Sequence, residues 1–207
     1  LMNKYNEDYY ENGVQLGISG YANYRWMPDL TVPMAKTIAK YLALDKVKHS
    51  ILDFGCAKGF LVKAFTDLGY KCEGTDVSQY ALEKAPEEIR SKLFEYKEDN
   101  LFDKSYDTVI AKDVFEHIEP ETLSNILHEL QKISDRLFVV VPLGDGEKYV
   151  VPEYESDITH VIRQNKDWWI DLFHANGYRV QYFSYLMDGL KDNWSHYPEG
   201  NGFFILS

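Results

Sequence analysis

Ile51-Leu-Asp-Phe-Gly-Cys-Ala-Lys-Gly-Phe60 is a short apolar run that ends in an acid, bends on two glycines and opens into a helical pattern. Residues 50–54 read as a buried strand. From Phe60, Leu61, Phe65 and Leu68 fall at helical spacing, and Gly69 closes the helix. Glycine at 55 and 59 lets the chain turn sharply and lets a ligand approach the main chain. A strand, a glycine bend and a helix make half of a βαβ unit, so the pattern should alternate downstream.

It does. Residues 71–75 read as a second strand, 78–85 as a helix, 93–97 as a weaker third strand and 106–111 as a fourth. Leu123, Ile126, Leu127 and Leu130 mark a helix, and 136–141, with three successive valines, a strand buried on both faces. A further helix over 165–176 ends at Gly177. Two strands, 178–186 and 203–207, then follow with no helical pattern between them. A helix over 31–44 precedes the whole series. The reading is an α/β, Rossmann-like seven-stranded sheet, mostly parallel, with an antiparallel C-terminal hairpin and helices on both faces. No repeat or linker divides residues 1–207. Residues 1–45 form a helical, tyrosine-rich segment ahead of a core over 50–207.

The bulk composition narrows the partners. A chain of 207 residues with net charge −11 repels phosphate backbones and anionic lipid, so neither nucleic acid nor membrane is expected as a partner. No apolar run approaches a membrane span, and Leu1 to Glu11 is polar and aromatic, unlike a signal peptide. Leu1 in place of an initiator Met suggests a trimmed or tagged start. Cys56 and Cys72 form no metal or disulfide framework, which points to a reducing cytoplasm.

A dinucleotide enzyme would want G-x-G-x-x-G in the first bend, with a diphosphate on the helix N-terminus. Here Ala57 and Phe60 replace two of those glycines, and Asp53 puts negative charge beside the bend. That suits a ligand carrying an ammonium or sulfonium. Asp76 ends the second strand, where a carboxylate can accept from both ribose hydroxyls. Asp99 ends the third, within reach of an adenine amino group. Asp107 opens the fourth, and Asp113 lies just past its end, in Lys112-Asp-Val-Phe-Glu-His-Ile118. Acids at successive strand ends mark where an open α/β sheet binds ligands.

These residues resemble the class I S-adenosylmethionine-dependent methyltransferases, in particular small bacterial members acting on sugars and natural products. The resemblance covers Tyr21 to the C-terminus and is strongest over 51–118. It implies a single methyltransferase domain with S-adenosylmethionine as cofactor and S-adenosylhomocysteine as product. Asp53, Gly55, Cys56, Ala57 and Gly59 would cradle the methionine part, Asp76 and Val77 the ribose, and Asp99, Asn100 and Leu101 the adenine. Lys112, Asp113 and His117 match the segment that faces cofactor and substrate. Tyr21-Ala-Asn-Tyr-Arg25 looks like the family's lid, in which an arginine pairs with the methionine carboxylate; that role falls to Arg25. Ala57, where glycine is common, and Lys112, where a small or apolar residue is common, depart from the pattern.

Methyl transfer from a sulfonium depends mostly on positioning, and an oxygen acceptor also needs a base. His160 is the first choice, with His117 and Asp113 as alternatives and Asp157 as a partner for His160. Clustered acids with an asparagine, as a metal-assisted catechol site would need, cannot be assembled, so no metal is expected. Adjacent Trp168 and Trp169 point about 100° apart on a helix; one is expected on the sheet and the other on the substrate face, with core packing of both as the alternative. The loop over 188–198 mixes aromatic and polar residues suited to a sugar-like small molecule. Two alternatives remain: an NAD-type dinucleotide-dependent oxidoreductase, and a non-catalytic cofactor-binding regulatory protein. The oligomeric state is not legible.

Overall fold

The computed structural model describes residues 4–97 and 104–207. In chain order the elements are α1 (Glu7–Glu11), α2 (Gly13–Leu16), α3 (Pro28–Tyr41), β1 (Ser50–Phe54), α4 (Phe60–Asp67), β2 (Lys71–Asp76), α5 (Gln79–Glu83), α6 (Glu87–Arg90), β3 (Leu93–Glu95), β4 (Thr108–Lys112), α7 (Pro120–Ile133), β5 (Leu137–Pro142), α8 (Lys166–Ala175), β6 (Val180–Ser184) and β7 (Asn201–Leu206). The strands form a seven-stranded sheet in the order β3-β2-β1-β4-β5-β7-β6. β1 to β5 pair in parallel, and β7 inserts antiparallel between β5 and β6.

The period-two alternation of strand side chains builds both faces of the core at once. Leu52, Phe54, Val109, Ala111, Leu137, Val139, Val141, Phe204 and Leu206 point to one side. There they meet Leu123, Ile126, Leu127 and Leu130 of α7 and Trp169 and Phe173 of α8. Ile51, Ile110, Phe138, Val140 and Phe203 point to the other side and meet Ala35, Ile38 and Ala39 of α3 and Leu61, Val62, Ala64 and Phe65 of α4. Asp53, two residues after Ile51, therefore faces the α3/α4 side, just where the strand ends.

Several boundaries differ from the sequence expectation, each for a local reason. α3 starts at Pro28 rather than residue 31, because proline suits the first helical turn, and it stops at Tyr41, before Ala43 at φ +48°. The helix expected over 78–85 shortens to α5, and an unexpected short helix, α6, follows Pro86; Ser78 caps α5, its Oγ accepting from the Ala81 amide at 3.0 Å. The strand expected over 178–186 shortens to β6, with a register irregularity between Val180 and Tyr182.

Asp107 lies at the opposite end of β4 from Asp113. It accepts from the Ser50 amide and hydroxyl, each at 2.7 Å, and pins the starts of β1 and β4 together. Trp169 is fully buried, and Trp168 packs half-buried against the same core at 5.2 Å in a T-shaped pair. The adjacent tryptophans thus share one core instead of dividing between sheet and substrate face. Removing the Trp169 side chain should cost about 3–5 kcal/mol.

Candidate active site

The bend after β1 is held in a conformation that leaves room for little except backbone. Gly55 has φ +77°, and a Cβ there would lie 2.4 Å from a methyl of Val114; Gly59 has φ +71°, and a Cβ would meet Ile89 at 2.7 Å. Ala57 also adopts a left-handed φ of +49°. A non-glycine residue there costs about 1 kcal/mol, which explains why glycine would be the easier choice. Its amide donates to Asp76 Oδ2 at 2.7 Å, and the Ser78 amide donates to Asp76 Oδ1 at 2.8 Å. Asp76 therefore staples the glycine bend to the end of β2. With the Val77 amide as a further backbone donor, the carboxylate still keeps acceptor capacity for a ligand.

Asp53 is 4% exposed, and among the described residues its carboxylate has no hydrogen-bond donor. Burial pushes its pKa up to about 8, against the pull of Lys112 and with added repulsion from Asp76. Burial also raises Asp76, partly offset by its backbone donors. Two buried acids short of positive charge beside an open backbone cradle fit a cationic ligand group and disfavour a diphosphate. Asp99, Asn100 and Leu101 lie outside the described residues.

The tyrosine-rich N-terminal segment packs across this bend. Tyr9, Tyr10 and Ala81 form a small cluster with Tyr5, Tyr21, Tyr24, Ala57 and Tyr80. Tyr24 lies 4.9 Å from the Phe60 ring, and Tyr10 stacks on Tyr80. Buried Lys58 forms an ion pair with Glu11 of α1 and donates to the Tyr24 carbonyl at 2.7 Å, while the Tyr80 hydroxyl donates to the same Glu11 oxygen at 3.0 Å. Lys58 and Glu11 escaped the sequence reading because their pairing spans unrelated segments. Arg25, in contrast, is exposed, and no ion pair involves it among the described residues.

Glu11→Gln removes the charge opposite buried Lys58 and is expected to destabilise the N-terminal segment by about 1–3 kcal/mol. Limited proteolysis should then cut within residues 4–26 sooner than in the wild type. Equal cleavage rates would show that the latch does not hold the segment.

Past β4 the chain turns sharply at Asp113, a non-glycine residue at φ +57°. Burial opposes ionisation of Asp113, but Lys112 at 2.5 Å and Lys191 at 2.6 Å overcome it and hold the carboxyl well below the usual range. Lys191 comes from the 188–198 loop and also donates to the Tyr154 hydroxyl at 3.1 Å, while Trp194 of that loop lies 5.6 Å from the Tyr154 ring. That loop therefore belongs to the site.

A single 3₁₀ turn over Phe115–His117 follows. The Glu116 carbonyl accepts from the amides of Val161 and Ile162 at 2.8 and 3.1 Å, which ties the segment after β5 to this turn. The result brings His160 beside His117, with ring centroids 4.5 Å apart.

Here the expected Asp157–His160 pair is corrected. Asp157 Oδ1 accepts from the Thr159 hydroxyl at 2.6 Å and Oδ2 from the Tyr9 hydroxyl at 2.7 Å. Thr159 Oγ1 in turn lies 2.7 Å from His117 Nδ1, so the carboxylate is relayed to His117. His160 instead places its Nδ1 2.9 Å from the Tyr154 carbonyl. Burial, then the neighbouring His160, lowers the pKa of His117 to about 4; burial also lowers His160. Both rings are neutral at physiological pH. Glu116, 1% exposed, is pushed well above the usual carboxylate range by burial and then by Asp113.

One carboxylate oxygen of Glu116 and one ring nitrogen each of His117 and His160 lie within 4.8 Å of one another. No such grouping was expected from sequence. Glu116 and His117 are adjacent on the chain, but nothing in the spacing shows that His160 joins them.

Among the described residues no helix is long and apolar enough to cross a membrane. Residues 26–186 match the family model described as a methyltransferase domain. An uncharacterised methyltransferase of Schizosaccharomyces pombe is 32% identical over 111 residues, covering 47% of this chain and 77% of that protein. A putative methyltransferase of Haloferax volcanii, solved in complex with the Trm112 activator, superposes with a TM-score of 0.66 at 16% identity, covering 87% of this chain and 90% of that one. A glycopeptide N-methyltransferase complexed with sinefungin gives a TM-score of 0.62 at 12% identity, with 86% of each chain covered. The family match displaces the dinucleotide-oxidoreductase alternative. Because it runs from the N-terminal segment through the glycine bend and both histidines to the start of the last loop, this chain belongs to the methyltransferase-domain family.

Proposed function

We propose that the chain transfers the methyl group of S-adenosylmethionine to an oxygen of a small, sugar-like acceptor and releases S-adenosylhomocysteine. Methyl transfer from S-adenosylmethionine follows from family membership and fold. Transfer to an oxygen of a sugar-like acceptor is supported chiefly by the neutral imidazoles of His117 and His160, the latter beside Tyr149 and Tyr154, with Trp194 bordering Tyr154. Such a wall stacks on a flat or sugar-like molecule and presents a lone pair to its hydroxyl.

The fit of the cofactor rests on buried Asp53, whose carboxylate has no hydrogen-bond donor among the described residues, and on a bend with no space for a side chain at Gly55 or Gly59. When bound, the cofactor supplies an activated methyl group on a sulfonium sulfur. In this reading Asp53 and the backbone of Gly55, Cys56, Ala57 and Gly59 hold the methionine part. Asp76 and Val77 hold the ribose, and Asp99, Asn100 and Leu101 meet the adenine. Residues 1–45 act as the lid of a single domain over 1–207, with Tyr21 packed against the bend and the exposed guanidinium of Arg25 available to the methionine carboxylate. Lys112 borders the cofactor while anchoring Asp113. His160 takes the acceptor proton at Nε2, with His117 and Asp113 orienting the acceptor. The acidic surface and the free, buried Cys56 and Cys72 fit a small-molecule enzyme of the cytoplasm.

Incubation with S-adenosylmethionine and a panel of nucleotide sugars, catechols, peptides and RNA, read by mass increase, tests the acceptor class. Methylation confined to peptides or RNA would overturn it, and no turnover on any acceptor would favour a non-catalytic binding protein. His160→Ala is expected to bind S-adenosylhomocysteine as the wild type does while losing about 100-fold or more in kcat. Unchanged turnover would remove His160 from the chemistry.

A further inference from the structure

We propose that Glu116, His117 and His160 form a site for a divalent first-row transition-metal ion. The observation is that a carboxyl oxygen of Glu116 and one ring nitrogen each of His117 and His160 converge within 4.8 Å of one another. Thr159 gives its only hydroxyl hydrogen to Asp157 Oδ1 at 2.6 Å, so at 2.7 Å the donor between Thr159 Oγ1 and His117 has to be His117 Nδ1. A carbonyl only accepts, so His160 Nδ1 donates to Tyr154 O at 2.9 Å. Each neutral ring is thereby fixed in the tautomer that leaves Nε2 with a bare lone pair.

The third member, Glu116, is 1% exposed, and its Oε2 has no hydrogen-bond partner among the described residues. A buried carboxylate oxygen without a donor, beside two imidazoles whose hydrogens are committed elsewhere, calls for a cation. The nearby ammonium groups do not supply it, because Lys112 and Lys191 are both engaged on Asp113.

The surroundings have the form that metal-ligating histidines need. Each ligating imidazole donates its other N–H to a protein oxygen, which fixes the ring and raises its basicity. For His117 that oxygen is itself backed by a carboxylate, Asp157. Two imidazole nitrogens with one carboxylate oxygen suit Mn²⁺, Fe²⁺, Co²⁺ or Zn²⁺ better than the all-oxygen cations Mg²⁺ and Ca²⁺. Both histidines are only half-buried, so such an ion would keep a coordination position open to a ligand, as catalytic sites do and closed structural sites do not. Binding itself is independent of the proposed acceptor. Its consequence rests on that reading: with the ion bound, an acceptor hydroxyl in the open position would lose its proton to solvent water more readily and His160 would be a ligand, whereas without the ion His160 keeps the role of base.

The test is a titration of EDTA-dialysed protein with CoCl₂, followed by visible ligand-field absorption, with displacement by ZnCl₂. One equivalent of cobalt should bind, and His117→Ala, His160→Ala and Glu116→Gln should each weaken it by about 100-fold or abolish the bands. Thr159→Val leaves all three ligands but removes the acceptor for His117 Nδ1, and should weaken cobalt binding by roughly 10-fold. Calorimetry with S-adenosylhomocysteine on the same samples reports folding and the cofactor site separately. If Glu116→Gln fails to fold, half-buried His160→Ala carries the same test. Absence of stoichiometric cobalt uptake by the wild type, or uptake unchanged across the ligand variants, overturns the proposal and leaves a proton shared within the cluster as the cation. Cobalt binding with no affinity for S-adenosylhomocysteine would instead overturn the cofactor reading and leave the metal site standing.

Discussion

Asp53→Asn is expected to stabilise the ligand-free protein at pH 8 by roughly 3–5 kcal/mol while weakening S-adenosylmethionine binding by about 100-fold or more. The wild-type carboxyl is pushed up to about 8, from 3.8 in an unperturbed chain, by burial first. Below about pH 4 it is protonated in both folded and unfolded states and contributes nothing to the pH dependence. Between pH 4 and 8 the folded state binds the extra proton, so stability falls as pH rises through that window and levels off above it. A tenfold change in proton affinity is worth about 1.4 kcal/mol, which sets an upper bound near 6 kcal/mol; the proximity of Lys112 and relaxation bring the expected value lower.

Asparagine is isosteric and does not titrate, so its advantage over the wild type should grow from nothing at pH 4 to its full size near pH 8. In melting temperature that is roughly 10 °C for a chain of this size. A cationic ligand reverses the balance, because it supplies the charge that the buried carboxylate lacks. Thermal melts of both proteins from pH 4 to 9, with and without S-adenosylmethionine, check both halves. A difference independent of pH would show that Asp53 stays ionised in the folded protein, neutralised by Lys112.

The parts of the molecule that the sequence displayed are those set by local periodicity. β1 carries its boundaries in five residues because an apolar run stops at a glycine that no other residue can replace, given Val114 2.4 Å from the missing Cβ. The alternation that buries Leu52 on one face and Ile51 on the other is likewise written in the chain. What stayed hidden depends on tertiary closure. Glu116 stood in a quoted motif, yet its importance comes from burial and from an Oε2 with no donor among the described residues, neither of which a string of letters records. Asp157 and His160 are close in sequence and invited pairing. The backbone bonds from Val161 and Ile162 to Glu116 instead turn the segment so that Asp157 reaches Thr159 and Tyr9. Lys191, in a loop with no regular pattern, gave no signal that it would meet Asp113.

Asp76→Ala is expected to abolish measurable S-adenosylhomocysteine binding, and the geometry gives two separable reasons. The first is the ribose: a carboxylate at the tip of β2 can accept from both vicinal hydroxyls, with charge-assisted bonds worth about 1.5–3 kcal/mol each. The second is the bend itself. Asp76 holds the amides of Ala57 and Ser78 at 2.7 and 2.8 Å, so alanine frees both and leaves Ala57 at φ +49° without the bond that offsets its strain. Calorimetry on the variant alone cannot apportion these effects, but the wild type titrated with 2′-deoxy and 3′-deoxy cofactor analogues can. If Asp76 accepts from the ribose, deleting either hydroxyl weakens wild-type binding by roughly 10-fold or more while leaving the bend untouched. If the analogues bind as the parent does and only the alanine variant fails, Asp76 serves the loop and the hydroxyls are held elsewhere. Full affinity in Asp76→Ala would discard both roles, and with them the placement of the adenosyl group at the tip of β2.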